Sequence, residues 1–200
     1  SLASVVVAAI VLSAVYRHVA VGNLMLVAER DVVSLTRSFA NTLGPEFLDW
    51  VDEVAQQPAE LLRSNKETHA LGGLVARHMR GTDVAKIKVY ALNGRTVFST
   101  DSKQIGEDKS SNAGFLAARA GNVATEVTHR DKFSAFDREL ENRSLLSGYI
   151  PIRDENNGQV RVVFELYSDV TAFLSDIDRT QRTVSLAVLA VLGMLYGMLF

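Results

Sequence analysis

Residues 1–16 and 183–200 contain no Asp, Glu, Lys or Arg, so all 21 basic and 23 acidic side chains fall within residues 17–182. A chain stripped of charge at both ends carries two segments suited to a solvent other than water. A bilayer core of about 30 Å needs about 20 apolar residues at a helical rise of about 1.5 Å each. The C-terminal run TVSLAVLAVLGMLYGMLF supplies 18 residues and the N-terminal run SLASVVVAAIVLSAVY supplies 16. Both read as membrane spans clipped by the ends of the sequence. A cleaved signal peptide is the rival reading of the first run, but its apolar pattern continues helically into VAVGNLMLVAER instead of breaking. Two buried core helices are the bland alternative.

Two spans put both termini on one side of a membrane and residues 17–182 on the other. The positive-inside rule does not set the direction, because it applies to short loops and this loop is long. The formal net charge of −2 gives no basic footprint for nucleic acid. The absence of Cys removes disulfides, thiolate chemistry and cysteine-ligated zinc. His18, His69, His78 and His129 lack metal-ligand spacing, since His69 and His78 are nine apart where helical ligands want three or four. Gly72-Gly73 opens no phosphate loop, and packing explains it better. Ser144 and Ser147 lack the context of a nucleophile elbow. No metal, cofactor or catalytic residue is expected.

After the first span, Leu24, Ala28, Val32, Leu35, Phe39 and Leu43 form the apolar stripe of one amphipathic helix. Gly44-Pro45 breaks it, with Pro45 suited to the first position of the next helix. Phe47, Leu48, Val51 and Val54 continue helically, and further turns around 60–63 and 68–80 end at Gly81. At Val84 the period becomes alternating. AKIKVYA, an Asn93-Gly94 turn and RTVFST read as a hairpin. A polar loop, a short helix GFLAARA closed by Gly121, and the strand VATEVTH follow. The stretch RDKFSAFDRELENR reads as irregular. LLSGYIPI, a DENNG turn and QVRVVFELY then form a second hairpin. Ser168-Asp169 suit a helix cap, and Val170, Phe173, Leu174, Ile177, Gln181 and Val184 carry a stripe into the second run. These elements predict an α+β fold: an antiparallel sheet of about five strands, a long N-terminal helix and flanking transmembrane helices.

In YALNGRTVFSTD and YIPIRDENNGQVRVVFELYSDVT the chain resembles the Cache/PDC family of PAS-like extracytoplasmic sensors. KIKVYALNGRTVFSTDSKQIGEDKSSNAGFLAA followed by THRDKFSAF is similar to sensor regions that precede diguanylate cyclase or histidine kinase modules. The resemblance covers about 83–178, and no output module is present in the sequence. It implies a transmembrane helix at 1–22, a helical lead-in region at 23–82, the PAS-like sensor domain at 83–168, an exit helix at 169–182 and a second transmembrane helix at 183–200. It also implies a bacterial inner-membrane location with residues 17–182 largely periplasmic, and no enzyme activity in this region itself.

Strand alternation puts Lys86, Lys88 and Tyr90 on one sheet face, with Tyr149, Glu165 and Tyr167 beside them if the strands pair. Solvent exposure is the expected role of that face, with a dimer contact or a ligand wall as alternatives. The opposite face, with Ile87, Val89, Ile150, Ile152, Val162, Phe164 and Leu166, is core. The cluster His129-Arg130-Asp131, with Phe133 and Phe136, lies where PAS-like sensors wrap a small ligand, so the resemblance makes Arg130, Tyr149 and Asp101 the expected ligand-binding residues. The alternative is that Arg130 and Asp131 form a surface pair beside a packed Phe. An arginine suits a carboxylate or phosphate, which makes an anion the expected charge class. The near-heptad stripes suggest a homodimer seam at Leu35 and Phe39, or at Phe173 and Ile177. Two functions stay open: a sensor that passes a signal through paired helices to an output module, and a membrane-tethered scaffold that binds a partner protein and no small molecule.

Overall fold

The computed structural model describes residues 2–136, 138–154 and 156–199, with residues 2–6, 8, 9, 192, 195, 196 and 199 described by backbone alone. The chain forms two compact units, Ser1–Ala28 with Thr171–Phe200, and Glu29–Val170.

The first helix, α1, runs unbroken over Leu2–Leu43, about 60 Å at the helical rise. No Pro lies within it, and its only glycine is Gly22. Among the described residues, one helix is long and apolar enough to cross a membrane, within Ile10–Leu43. The last helix, α6, spans Thr171–Leu199 and carries the second apolar run, several of whose side chains lie outside the described residues. Between these two helices, Ser13 Oγ hydrogen-bonds Ser185 Oγ at 2.9 Å, and Gln181 Nε2 donates to Ser13 Oγ at 3.0 Å. Arg17 pairs with Asp178 at 3.3 Å.

In the larger unit, Pro45 opens α2 (Pro45–Val54), its fixed φ and missing N–H costing nothing in a first turn. Helix α3 covers Ala59–Ser64 and α4 covers Lys66–His78, with the Asn65 side chain accepting from Glu67 N as a cap. Five strands follow: β1 (Val84–Ala91), β2 (Thr96–Ser99), β3 (Ala124–Ser134), β4 (Glu139–Arg153) and β5 (Val160–Asp169). A 3-10 turn at Ser102–Gln104 and helix α5 (Ala113–Arg119) sit between β2 and β3. The sheet is antiparallel in the order β2-β1-β5-β4-β3. This is the PAS-like α+β architecture expected from the sequence. The stretch read as irregular is instead paired. β3 and β4 extend it into a long hairpin whose residues Arg130, Lys132 and Phe133 face Arg143, Glu141 and Leu140. Charged residues facing water on both strands hid its period. β5 runs through Asp169 before α6 starts.

The apolar face of the sheet is as expected: Ile87, Val89, Ile150, Val162, Phe164 and Leu166 are buried, and Ile152 is half-buried. The second half of α1 covers it, with Phe39 edge-on to Phe164 at 6.3 Å, and Phe47 of α2 lies 6.0 Å from the same ring. Gly148 is the point of closest approach. A Cβ there would lie 2.7 Å from Val32 Cγ1 and 3.2 Å from Ile150 Cδ1. Overpacking of this kind costs about 1–3 kcal/mol, so Gly148→Val should lower the midpoint of urea unfolding. An unchanged midpoint would mean that α1 is not seated on the sheet at this residue.

Candidate functional site: the polar face of the sheet

Register brings ionisable residues from separate strands into rows. Ser99, Lys88, Glu165, Tyr149 and Ala124 are successive cross-strand partners over all five strands. Beside them run Lys86, Tyr167, Ser147 and Glu126. The alternation grouped these residues correctly, but exposure is not their role. Lys86 and Lys88 are each 3% exposed and Glu165 is 1% exposed. The reason is the β2–β3 connection, which folds back over this face. Phe115 of α5 packs edge-on against Tyr90 at 5.8 Å, and Tyr90 stacks on Tyr149 at 6.3 Å. Gly114 lies so close to the Tyr149 ring that a Cβ would come within 2.4 Å of Cδ2. A polar loop and a short helix carry no sign in the sequence of what they cover.

A buried charge needs partners, and the covering segment supplies them. Lys86 Nζ donates to Gln104 Oε1 at 3.1 Å, lies 3.6 Å from Asp101 Oδ2, and sits 4.3 Å above the Phe133 ring. Lys88 Nζ lies 3.6 Å from Glu107 Oε2, which Lys109 also approaches at 3.4 Å. Desolvation holds the Lys86 ammonium below its ordinary range, outweighing the raising effect of Asp101, while the Lys88 charge lowers it further.

The other centre of the face is Glu165. Tyr90 donates its hydroxyl to Glu165 Oε2, and the phenols of Tyr149 and Tyr167 are also within hydrogen-bonding reach of the same carboxylate. Tyr90, Tyr149 and Tyr167 all have phenols pushed above the usual range. Burial is the first cause for each, and the Glu165 carboxylate is the second. Phe133 packs against Tyr167 at 5.0 Å, closing the membrane of side chains over this end of the face. The arrangement is a buried polar layer of two lysines and one carboxylate ringed by three neutral phenols. It presents no nucleophile paired with a base, and among the described residues no three His, Asp or Glu side chains gather as metal ligands.

Of the residues expected to bind a ligand, Tyr149 stands in the central row and Asp101 reaches the face through Lys86. Asp101 also accepts from Lys103 N at 3.3 Å, capping the 3-10 turn. Arg130 is exposed on β3, opposite Arg143 and six residues along β4 from Tyr149, and its charge reaches Tyr167. The sequence reading placed Lys86, Lys88 and Glu165 on this face, with a ligand wall among its alternatives, but did not name them among the expected ligand-binding residues. Their alternation with Ile87, Val89, Phe164 and Leu166 was the available signal. Among the dimer candidates, Phe39 is 3% exposed and packs inside its own chain on Phe164 and His78. Leu35 and Ile177 are half-buried, and Phe173 is exposed.

No family model and no curated protein matches the chain. Among solved structures it is similar to the periplasmic domain of RsbU from Chlamydia trachomatis, at 15% identity and a TM-score of 0.41, over 76% of this chain. The chain spans 58% of that structure's length. It is also similar to the sensor domain of DcuS from E. coli, at 18% identity and a TM-score of 0.37, covering 71% of this chain and 98% of that one. The PAS domain of BvgS from Bordetella pertussis matches at 15% identity and a TM-score of 0.35, over 60% of this chain and 99% of that one. The solved structures it resembles are thus PAS-like and periplasmic sensor domains.

Proposed function

We propose that this chain is the membrane-anchored sensory region of a bacterial signalling protein, with residues 17–182 outside the cytoplasm and the polar face of the sheet as its ligand site. The observation that carries the reading is the burial of Lys86, Lys88 and Glu165 under a separate covering segment. A fold stabilised for its own sake gains more from apolar residues there, because buried ion pairs commonly cost as much as they return. Ionisable residues kept buried suit a site that takes a ligand.

The chemistry favours a small anion that also carries a hydrogen-bond donor, a description that includes organic acids and amino acids. A ligand carboxylate would replace Asp101 or Glu107 as the counter-ion of the lysines, and its donor would compete with the phenols for the Glu165 carboxylate. Because desolvation lowers the Lys86 pKa, anion binding raises it again, and affinity should fall as pH rises through the depressed value. Tyr149 and Asp101 wall the site, while Arg130 at its rim steers anions inward. Ligand exchange parts the Lys86–Asp101 and Lys88–Glu107 pairs and so moves the covering segment against β1 and β5. β5 leads directly into α6, the route by which a signal would pass to an output module such as a diguanylate cyclase or histidine kinase. Phe173 and Ile177 on α6 supply the contact with a second copy.

The topology is tested by labelling. The chain has no native Cys, and Asn156 is an exposed turn residue. A membrane-impermeant maleimide should label Asn156→Cys in spheroplasts with intact membranes. Labelling only after lysis would place the domain in the cytoplasm and remove the proposal.

A further inference from the structure

A cleft at the β2 edge of the sheet has features that the sensory reading leaves unused. It has a volume of about 330 Å³ and lies between α4 and the strand β2, within the usual size range for small-molecule pockets. Its helical wall is Thr68, Gly72 and Ala76, at steps of four along one side of α4. Gly72 was expected to be glycine for packing, yet a Cβ built there meets nothing within 4 Å. A glycine inside a helix is destabilising relative to alanine, so no neighbour accounts for it, and the space it leaves is the cleft.

Thr68 supplies the independent observation. It is 6% exposed and lines the cleft, and its Oγ1 is buried with no hydrogen-bond partner among the described residues. Thr36 and Thr42 each return their hydroxyls to the carbonyl four residues back, at 2.7 and 3.0 Å; Thr68 does not. A buried hydroxyl left unmatched calls for a partner supplied from the cleft. Arg63 fixes the charge class. Its Nε and Nη2 are held by the carbonyls of Ser102, Lys103 and Ile105 at 3.1, 3.3 and 2.9 Å. That leaves Nη1 with only a 3.9 Å ion pair to the exposed Glu60 carboxylate. Phe98, Ile105 and Phe136 line the rest.

We propose that this cleft is a second small-molecule site, for a compact monocarboxylate with an apolar body: the acid on Arg63, the body against Phe98 and Phe136, and Thr68 hydrogen-bonded to the ligand. The site opens toward α4, shares Ser99 and the 102–105 segment with the polar face, and needs no ligand on that face.

The test uses the full chain in lipid nanodiscs with benzoate, isovalerate and, as the uncharged counterpart, benzamide. Saturation-transfer NMR should show benzoate or isovalerate bound at about 1 mM, with benzamide at least tenfold weaker. Thr68→Val should weaken the acid about tenfold. Gly72→Leu, which fills the space, should abolish binding with Tm unchanged or raised. If that variant unfolds, Gly72→Ala should still lower affinity severalfold. The proposal is overturned if neither acid binds the folded wild type, if benzamide binds equally well, or if filling Gly72 leaves affinity unchanged.

Discussion

Replacing Glu165 with alanine should destabilise the domain by about 3–5 kcal/mol, the scale for stripping one member from a buried charged network. The carboxylate is 1% exposed and accepts the Tyr90 hydroxyl. Lys88, its cross-strand neighbour, is as deeply buried as Lys86. Without the carboxylate, buried phenols lose their shared acceptor. Glu165→Gln keeps an acceptor for Tyr90 and should cost less, about 1–3 kcal/mol, the range for disturbing a hydrogen bond to a charged group. Urea unfolding followed by circular dichroism measures both. If Glu165→Leu proved neutral or stabilising while the alanine variant did not, the lost packing volume and not the network would be the source of the cost.

The second large effect is an alkaline limit. Tyr90, Tyr149 and Tyr167 have folded pKa values raised above 10.0. Their contribution to stability is complete below the unfolded value and is lost as pH rises toward the folded ones, because above about 10 the unfolded chain releases phenolic protons that the fold retains. With three such groups, stability should fall by about 4 kcal/mol per pH unit once pH is well above 10. Lys86 acts in the opposite sense. Its folded pKa lies below 10.5, so between that depressed value and 10.5 the unfolded chain binds more protons and stability rises with pH. The expected profile therefore rises gently and then breaks steeply. Tyrosinate absorbance near 295 nm should appear together with loss of the sheet signal. Titration of these phenols near pH 10 in a still-folded domain would contradict their burial under α5.

Architecture was legible where local chemistry and tertiary packing agree. Gly44-Pro45 ended one helix and began the next, and Gly94, at φ 89°, made the first hairpin turn. The alternation Lys86-Ile87-Lys88-Val89-Tyr90 assigned each residue to its face. What alternation does not carry is the solvent on each side. A row of lysines, tyrosines and a glutamate reads as a wet surface unless something covers it, and the cover is the segment with Phe115 and Asp101, distant in sequence. The same blindness affected Phe39, whose heptad-like spacing fits a dimer seam and an intramolecular core equally well. In the structure Phe39 packs on the Phe164 ring of β5, a contact distant in sequence. The β3–β4 extension was hidden for another reason: Arg130, Asp131, Lys132, Glu139 and Glu141 are exposed on an edge hairpin, where pairing needs no apolar period. Gly72 was misread because a gap between elements leaves no trace in either one's sequence.

The most direct test of the sensory reading is a thermal-stability screen of the full chain in nanodiscs against a panel of organic acids and amino acids, run in parallel on wild type and Lys88→Met. A ligand that binds only the folded state raises Tm, and a hundredfold excess over Kd is worth about 2.7 kcal/mol. The account predicts that at least one anionic compound raises the wild-type Tm, that Lys88→Met loses most of that rise while remaining folded, and that the rise shrinks as pH increases. Equal shifts in both proteins, or no shift from any compound on a folded wild type, would contradict it.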